Sequence, residues 1–238
     1  MELQNFSVNL RVASIAEQRK WRPYRTRLGQ LLQPLLPLRL FRETGFGVNQ
    51  SVLNAPSSSY LFGFWQGEAY FKDIRSTLLS ELVPLSEPSA ADLQILEAIS
   101  RDNSVSVHVR RGDYVTLQSA SAYHGTCSPE YYRNALKYIE SRVSKPVFFV
   151  FSDDPDWTSR NLHFPHTTHY VKHNDATTAF QDLRLMSKCN HHIIANSSFS
   201  WWGAWLANKL DGLTIAPDIW FAGGRPTPDL LPADWVRI

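Results

Sequence analysis

The chain has 238 residues, 43% of them hydrophobic and 13% aromatic. That is enough apolar material for one large domain or two small ones, and it excludes a disordered chain. With 24 basic against 22 acidic residues the net charge is +2, so composition makes no case for nucleic acid as a partner, and any anion site has to be local. Two cysteines, Cys127 and Cys189, argue against a disulfide scaffold and against a CxxC metal cluster, and fit a reducing compartment.

The N-terminal stretch MELQNFSVNLRVASIAEQRK lacks the apolar core of a signal peptide. No run of about 18 apolar residues predicts a spanning helix. The N-x-S/T sequons at Asn5, Asn49 and Asn196 read as chance matches. Residues 16–48 mix arginines and leucines with Pro23, Pro34 and Pro37. Those prolines break any long helix, which favours a short helix and connecting arm over a segment that touches anionic lipid. YLFGFWQGEAYFKDI (60–74) reads as a core strand and turn. PLSEPSAADL (84–93) reads as a linker entering a helix, with Ser89 as its cap and Leu93, Ile95, Leu96 and Ile99 as its apolar residues.

From residue 104 the pattern becomes regular. SVSVHV predicts a strand, with Val105, Val107 and Val109 on one face and His108 and Arg110 on the other. SPEYYRNALKYIESRV predicts a helix with Ser128 as N-cap and Pro129 at its first position. PVFFVFS (146–152) is an apolar run suited to a buried strand, and THYV (168–171) is a weaker one. TTAFQDLRLMSKCN predicts a helix with Phe180, Leu183 and Met186 on one face. HHIIA (191–195), SWWGAWLANKL and LTIAP (213–217) then predict strand, helix and final strand. Strand and helix alternate, so the fold class expected is α/β, a parallel sheet with helices on both faces.

In such a sheet, ligands bind beyond the carboxyl ends of the strands. Three strand ends carry polar chemistry: His108-Val109-Arg110-Arg111-Gly112-Asp113, then Ser152-Asp153-Asp154-Pro155, then Asn196-Ser197-Ser198-Phe199-Ser200 before a helix. Two guanidiniums beside an imidazole repel unless something anionic sits among them. The helix start supplies backbone N–H groups and hydroxyls suited to phosphate, and arginines opposite it would clamp a diphosphate. Plainer readings stand beside these. Arg110 and Arg111 can be a solvated charge cluster, and Arg-Gly-Asp a chance adhesion match. Consecutive side chains diverge, so Asp153 and Asp154 read as turn or cap residues rather than a metal pair. Trp201, Trp202 and Trp205 read as core, and His191 and His192 lack partners at metal-ligand spacing.

HVRRGDY, SDDPDW and DLRLMSKCNHHIIANSSFSWWGAWL together resemble the three signature regions of the alpha-1,2-fucosyltransferases, glycosyltransferase family 11, and FWQGEAYF is similar to the aromatic segment ahead of them. The resemblance covers about 60–238; the third region is specific, whereas the first is shared with other fucosyltransferases. It implies a GT-B-like enzyme: residues 101–238 as a GDP-sugar-binding Rossmann-like domain, and 1–100 as an acceptor-side region. Family members begin with a strand and a GGLGNQ-type loop that has no counterpart here, so this region is expected to be incomplete. The implied reaction is inverting transfer of fucose from GDP-fucose to a galactose hydroxyl of a glycan or lipid-linked oligosaccharide, without a metal or other cofactor. The implied setting is the cytoplasm, peripheral to the membrane. By the resemblance Arg110 holds the β-phosphate, His108 faces the guanine or ribose, and Arg111 joins the donor site. Asp182 accepts from the guanine N1–H and N2–H, Ser197 and Ser198 meet phosphate, and Phe199 packs nearby. Asp113 and Glu68 are candidates for the general base by residue type only. A fucosyltransferase of another linkage, or a silent GDP-sugar-binding fragment, remain as alternatives. Asp182 itself can be a solvent-facing helix carboxylate.

Overall fold

The structure is a computed structural model that describes residues 2–22, 26 and 39–238. The chain divides into two compact units: Val8–Leu78 with Pro226–Pro232, and Met1–Ser7 with Leu79–Arg225 and Ala233–Ile238.

The smaller unit contains α1 (Ile15–Trp21), β1 (Arg39–Arg42), α2 (Gln50–Leu53) and β2 (Ser59–Phe62). β1 and β2 pair in parallel, from Arg39 opposite Ser59 to Arg42 opposite Phe62. Glu43, just after β1, accepts from the N–H of Phe64 at 2.7 Å and of Trp65 at 3.0 Å, which fastens the chain leaving β2. A Cβ on Gly63 would lie 2.4 Å from Glu43 Cβ, so this close approach requires glycine. The strand expected in 60–74 is present, but it is not a core strand. Leu61 and Phe62 are exposed and Phe64 is 85% exposed, because a two-stranded ribbon has too little surface to cover both its faces. Of the segment weighed for lipid contact, residues 23–25 and 27–38 lie outside the described residues.

The larger unit is built on six parallel strands: β3 (Asn103–Val109), β4 (Pro146–Ser152), β5 (Thr168–Val171), β6 (His191–Ile193), β7 (Thr214–Ala216) and β8 (Val236–Arg237). Their spatial order is β5-β4-β3-β6-β7-β8. The chain runs outward from β3, returns to β6 beside it and runs outward the other way, the doubly wound order of a Rossmann fold. The α/β parallel-sheet class is therefore as expected. LTIAP is not the final strand: β8 follows it, with Val236 opposite Ile215, a pairing of two residues too short to leave a periodic signal.

After a helix at Arg75–Glu81, the helices are α3 (Ala90–Arg101), α4 (Gly112–Thr116), α5 (Gln118–His124), α6 (Pro129–Glu140), α7 (Pro155–Asn161), α8 (Ala179–Lys188) and α9 (Ser198–Trp205). Val105, Val107, Val109, Phe148 and Val150 pack with Tyr132, Ala135, Leu136 and Ile139 of α6. The alternate residues Phe149 and Phe151 pack with Ile99 of α3 and with Leu185 and Met186 of α8. The period of two thus survives although β3 is buried on both faces after Asn103. Ser128 caps α6 by accepting from Tyr131 N, with Pro129 in the first turn. Helix faces depart from expectation in detail. α8 buries Gln181, Leu185 and Met186, while Phe180 meets Phe6 edge-on at 6.4 Å. α3 buries Asp92 and Ile99, whereas Leu93 is exposed. Trp201 and Trp205 are core residues.

Candidate functional site at the strand ends

The returning chain leaves a crevice beyond the carboxyl ends of β3 and β6, where adjacent connections run to opposite faces of the sheet. A cavity of about 690 Å³ opens there, lined by His108, Arg110, Asp113, Asp182, Ser197, Ser198 and Phe199 among others. These seven candidate residues thus converge, and Ser152, Asp153 and Pro155 of the second strand end line the same cavity. Arg111 is not among the lining residues. Its guanidinium carbon lies 3.5 Å from the Trp157 ring centroid and its Nε 3.5 Å from Asp154 Oδ2. Glu68 belongs to the smaller unit.

The arginines have anions of their own. Arg110 Nη2 donates to Asp113 Oδ1 at 2.7 Å, and its Nη1 lies 3.1 Å from Asp153 Oδ2. Asp153 Oδ1 accepts from the Arg111 N–H at 2.8 Å, while Asp154 turns away to cap α7, accepting from Trp157 N at 3.2 Å. The two aspartates diverge as an extended segment requires, and three carboxylates answer the repulsion that the arginine pair poses. One of Arg110's five N–H donors is thus spent in a hydrogen bond and Nη1 is held in an ion pair, so the side chain that lines the cavity is oriented by two carboxylates. Gly112 makes the turn fit: a Cβ there would lie 2.7 Å from Asp153 Oδ2.

His108 is buried, its Nδ1 has no partner among the described residues, and Phe199 packs 5.5 Å away between ring centroids. Burial, with Arg110 adding to it, presses its pKa down to about 3, so the ring is neutral near pH 7. Ser197 stands at the N-cap of α9 with no side-chain cap bond. The first-turn N–H groups of α9 have no intrahelical partner, and they point where an anion is favoured. Asp182 is partly buried, and burial raises its pKa to about 6 against the opposing pull of the Asn174 hydrogen bond and His173. It does not sit on a solvent face.

Asn196 carries a structural role. Its Nδ2 lies 3.0 Å from His124 O, 3.2 Å from Gly125 O and 3.1 Å from Trp220 O, and it is 2% exposed, so its sequon is no glycan acceptor. Sequence reasoning missed a fourth strand end. Beyond β5, Lys172, Asn174 and Asp175 also line the cavity. The rule that ligands sit at strand ends would have found KHND, had the weak strand THYV been followed to its end.

The family model for glycosyl transferase family 11 matches residues 44–238. The chain belongs to that family. This family 11 chain is 44% identical over 179 residues to an alpha-1,2-colitosyltransferase of Escherichia coli, covering 74% of the chain and 61% of the relative. It is 33% identical over 196 residues to the O-antigen biosynthesis glycosyltransferase WbnK of Escherichia coli, covering 80% and 64%. To the human galactoside alpha-(1,2)-fucosyltransferase 1 it is 29% identical over 139 residues, covering 56% and 38%. The chain therefore spans less than two thirds of these relatives. Among solved structures it is similar to POFUT1 in complex with GDP-fucose, at 16% identity and a TM-score of 0.41 over 76% of this chain and 54% of that one. It is also similar to NodZ alpha-1,6-fucosyltransferase soaked with GDP-fucose, at 15% and 0.38 over 66% and 55%.

Proposed function

We propose that the larger unit binds GDP-fucose and that the protein transfers the sugar, with inversion, to a galactose hydroxyl to give an alpha-1,2 linkage. The observation that carries this reading is the convergence of Arg110, the α9 N-terminus and Asp182 on one cavity. Family membership and the names of the relatives support the sugar and the linkage. Arg110 and the α9 N-terminus take the diphosphate, and Asp182 takes the guanine N1–H and N2–H. The neutral His108 lies against Phe199 at the same wall. In the reaction, the acceptor oxygen attacks the anomeric carbon from the face opposite GDP. The bond from that carbon to the phosphate oxygen breaks, and its electron pair leaves on GDP. Arg110 neutralises this charge, a preorganised electrostatic contribution of the kind that dominates many enzymes. The acceptor proton passes to a general base on the attacking face, for which Asp113 is a candidate by residue type only.

The reading is metal-independent: Asp113, Asp153 and Asp154 each face an arginine, so the cationic partner of the diphosphate is guanidinium. Since one relative is named an alpha-1,2-colitosyltransferase, GDP-colitose is the second donor to test. The deciding experiment offers GDP-fucose and GDP-colitose with a panel of galactosides, with and without EDTA, and determines the product linkage. Alpha-1,2 product that persists with EDTA is expected. GDP binding without any transfer would leave only a GDP-sugar-binding role. Another linkage would overturn the acceptor assignment.

A further inference from the structure

A carboxylate reads a base edge only if something fixes its orientation. Asn174, in the loop between β5 and α8, donates from Nδ2 to Asp182 Oδ1 at 2.8 Å and to Asp92 Oδ1 at 3.1 Å. We propose that Asn174 is a positioning residue for base recognition, tying Asp182 to the buried Asp92 so that its remaining lone pairs meet the two donors of guanine. The inference rests on the reading of Asp182 as the guanine acceptor.

The anchor is rigid. Asp92 is 1% exposed and sits at the third position of α3, in a reciprocal cap with Ser89. Its Oδ2 accepts from Ser89 N at 3.0 Å and from Ser89 Oγ at 2.7 Å, and its Oδ1 lies 2.8 Å from His173 Nε2. A capping carboxylate does not need burial to do its work. Here it is sunk beneath the cavity wall and held on both oxygens. Asn174 suits the bridge because one amide nitrogen carries two N–H donors and no charge. A hydroxyl has one proton and could serve one carboxylate only. A lysine or arginine would neutralise Asp182 and compete with the ligand for it. Among the described residues Asp182 Oδ2 has no hydrogen-bond partner, and Oδ1 keeps a second lone pair. Two acceptors at fixed spacing match N1–H and N2–H of guanine. Hypoxanthine offers only N1–H, and pyrophosphate offers neither.

The test is calorimetry of GDP, IDP and pyrophosphate against the wild type, Asn174→Ala and Asn174→Leu. Both variants are expected to bind GDP about tenfold more weakly, with a reduced preference for GDP over IDP and with unchanged pyrophosphate affinity. Adding Asn174→Ala to Asp182→Asn is expected to cost nothing further. The uncharged Asn174→Leu, of similar volume but without donors, carries the comparison if the alanine variant does not fold. A wild-type GDP-to-IDP ratio in the variants overturns the inference, and so does an equal loss for GDP and pyrophosphate. A wild type that binds GDP no better than pyrophosphate removes the guanine reading itself, and the inference with it.

Discussion

At the scale of the residue, Arg110 shows how position converts a charge into a tool. Its fork rests between Asp113 and Asp153 and lies 5.3 Å from the Tyr114 ring centroid. The side chain is therefore oriented before any ligand arrives, and reorganisation during the reaction is small. Lysine would keep the charge but not the planar fork that matches phosphate and both aspartates. Arg110→Lys is expected to lower turnover about 100- to 1000-fold while the melting temperature stays close to that of the parent. Turnover at the parental rate in a steady-state assay would remove Arg110 from the clamp. Arg111, next in sequence, stacks on Trp157 instead. One residue's shift beyond the strand sends its side chain away from the residues that line the cavity.

At the scale of the element, the distance between α8 and α9 sets the span between Asp182 and the phosphate-facing helix start. Gly203 governs that contact: a Cβ there would lie 3.1 Å from Met186 Cβ, with both residues buried in the interface. Gly203→Val adds two further carbons in close-packed surroundings, which costs about 1 to 3 kcal/mol. It also pushes α9 outward, so GDP affinity should fall together with stability. Ser128→Ala provides the contrast. It removes the cap of α6, which covers the opposite face of the sheet, and costs about 1 kcal/mol with GDP affinity preserved. Urea melts and GDP calorimetry on both variants decide this; equal GDP losses in the two would mean that helix spacing has no special bearing on the site.

At the scale of the whole molecule, pH acts through buried groups of opposite sign. His108 and His192 are held neutral by burial down to about 3, against an ordinary value of 6.5. Their contribution to stability is complete above 6.5 and is lost as pH falls toward 3. Asp182 runs the other way: raised from 3.8 to about 6, it favours the fold most below 3.8 and least above 6. Between about pH 4 and 6 the unfolded chain binds the two imidazole protons while the folded chain binds one carboxyl proton. For these three groups the net is one proton, so acidification across that window should cost about 1 kcal/mol per pH unit, and His124 and His191, whose pKa values burial also lowers, act in the same direction. Asp182→Asn removes the opposing proton, so its stability should fall more steeply. Urea unfolding from pH 7 to 4 measures both slopes, and a parental slope in the variant would show that Asp182 does not titrate in this range.

The local sequence by itself determined β3 to β7 and the helices α3, α6, α8 and α9, because period-two and helical patterns and the Ser89 and Ser128 caps act over a few residues, whereas the short helices α4 and α5 carry no such pattern. It determined the parallel sheet, because strands alternate with helices. It also determined that β3 would present His108 and Arg110 on the face away from the valines. Tertiary structure decided what those patterns leave open. The order β5-β4-β3-β6-β7-β8 brought residues 108, 182 and 197 to one crevice. Burial raised the pKa of Asp182, an ordinary helix carboxylate by sequence, to about 6, and it sank Asp92, a cap residue by sequence, beneath the site. Three aspartates, from the segments following β3 and β4, became the counter-charges of two arginines. The physical reason is range: patterning and capping are set by neighbours in sequence, whereas desolvation and ion pairing depend on groups that the chain brings together only after it folds.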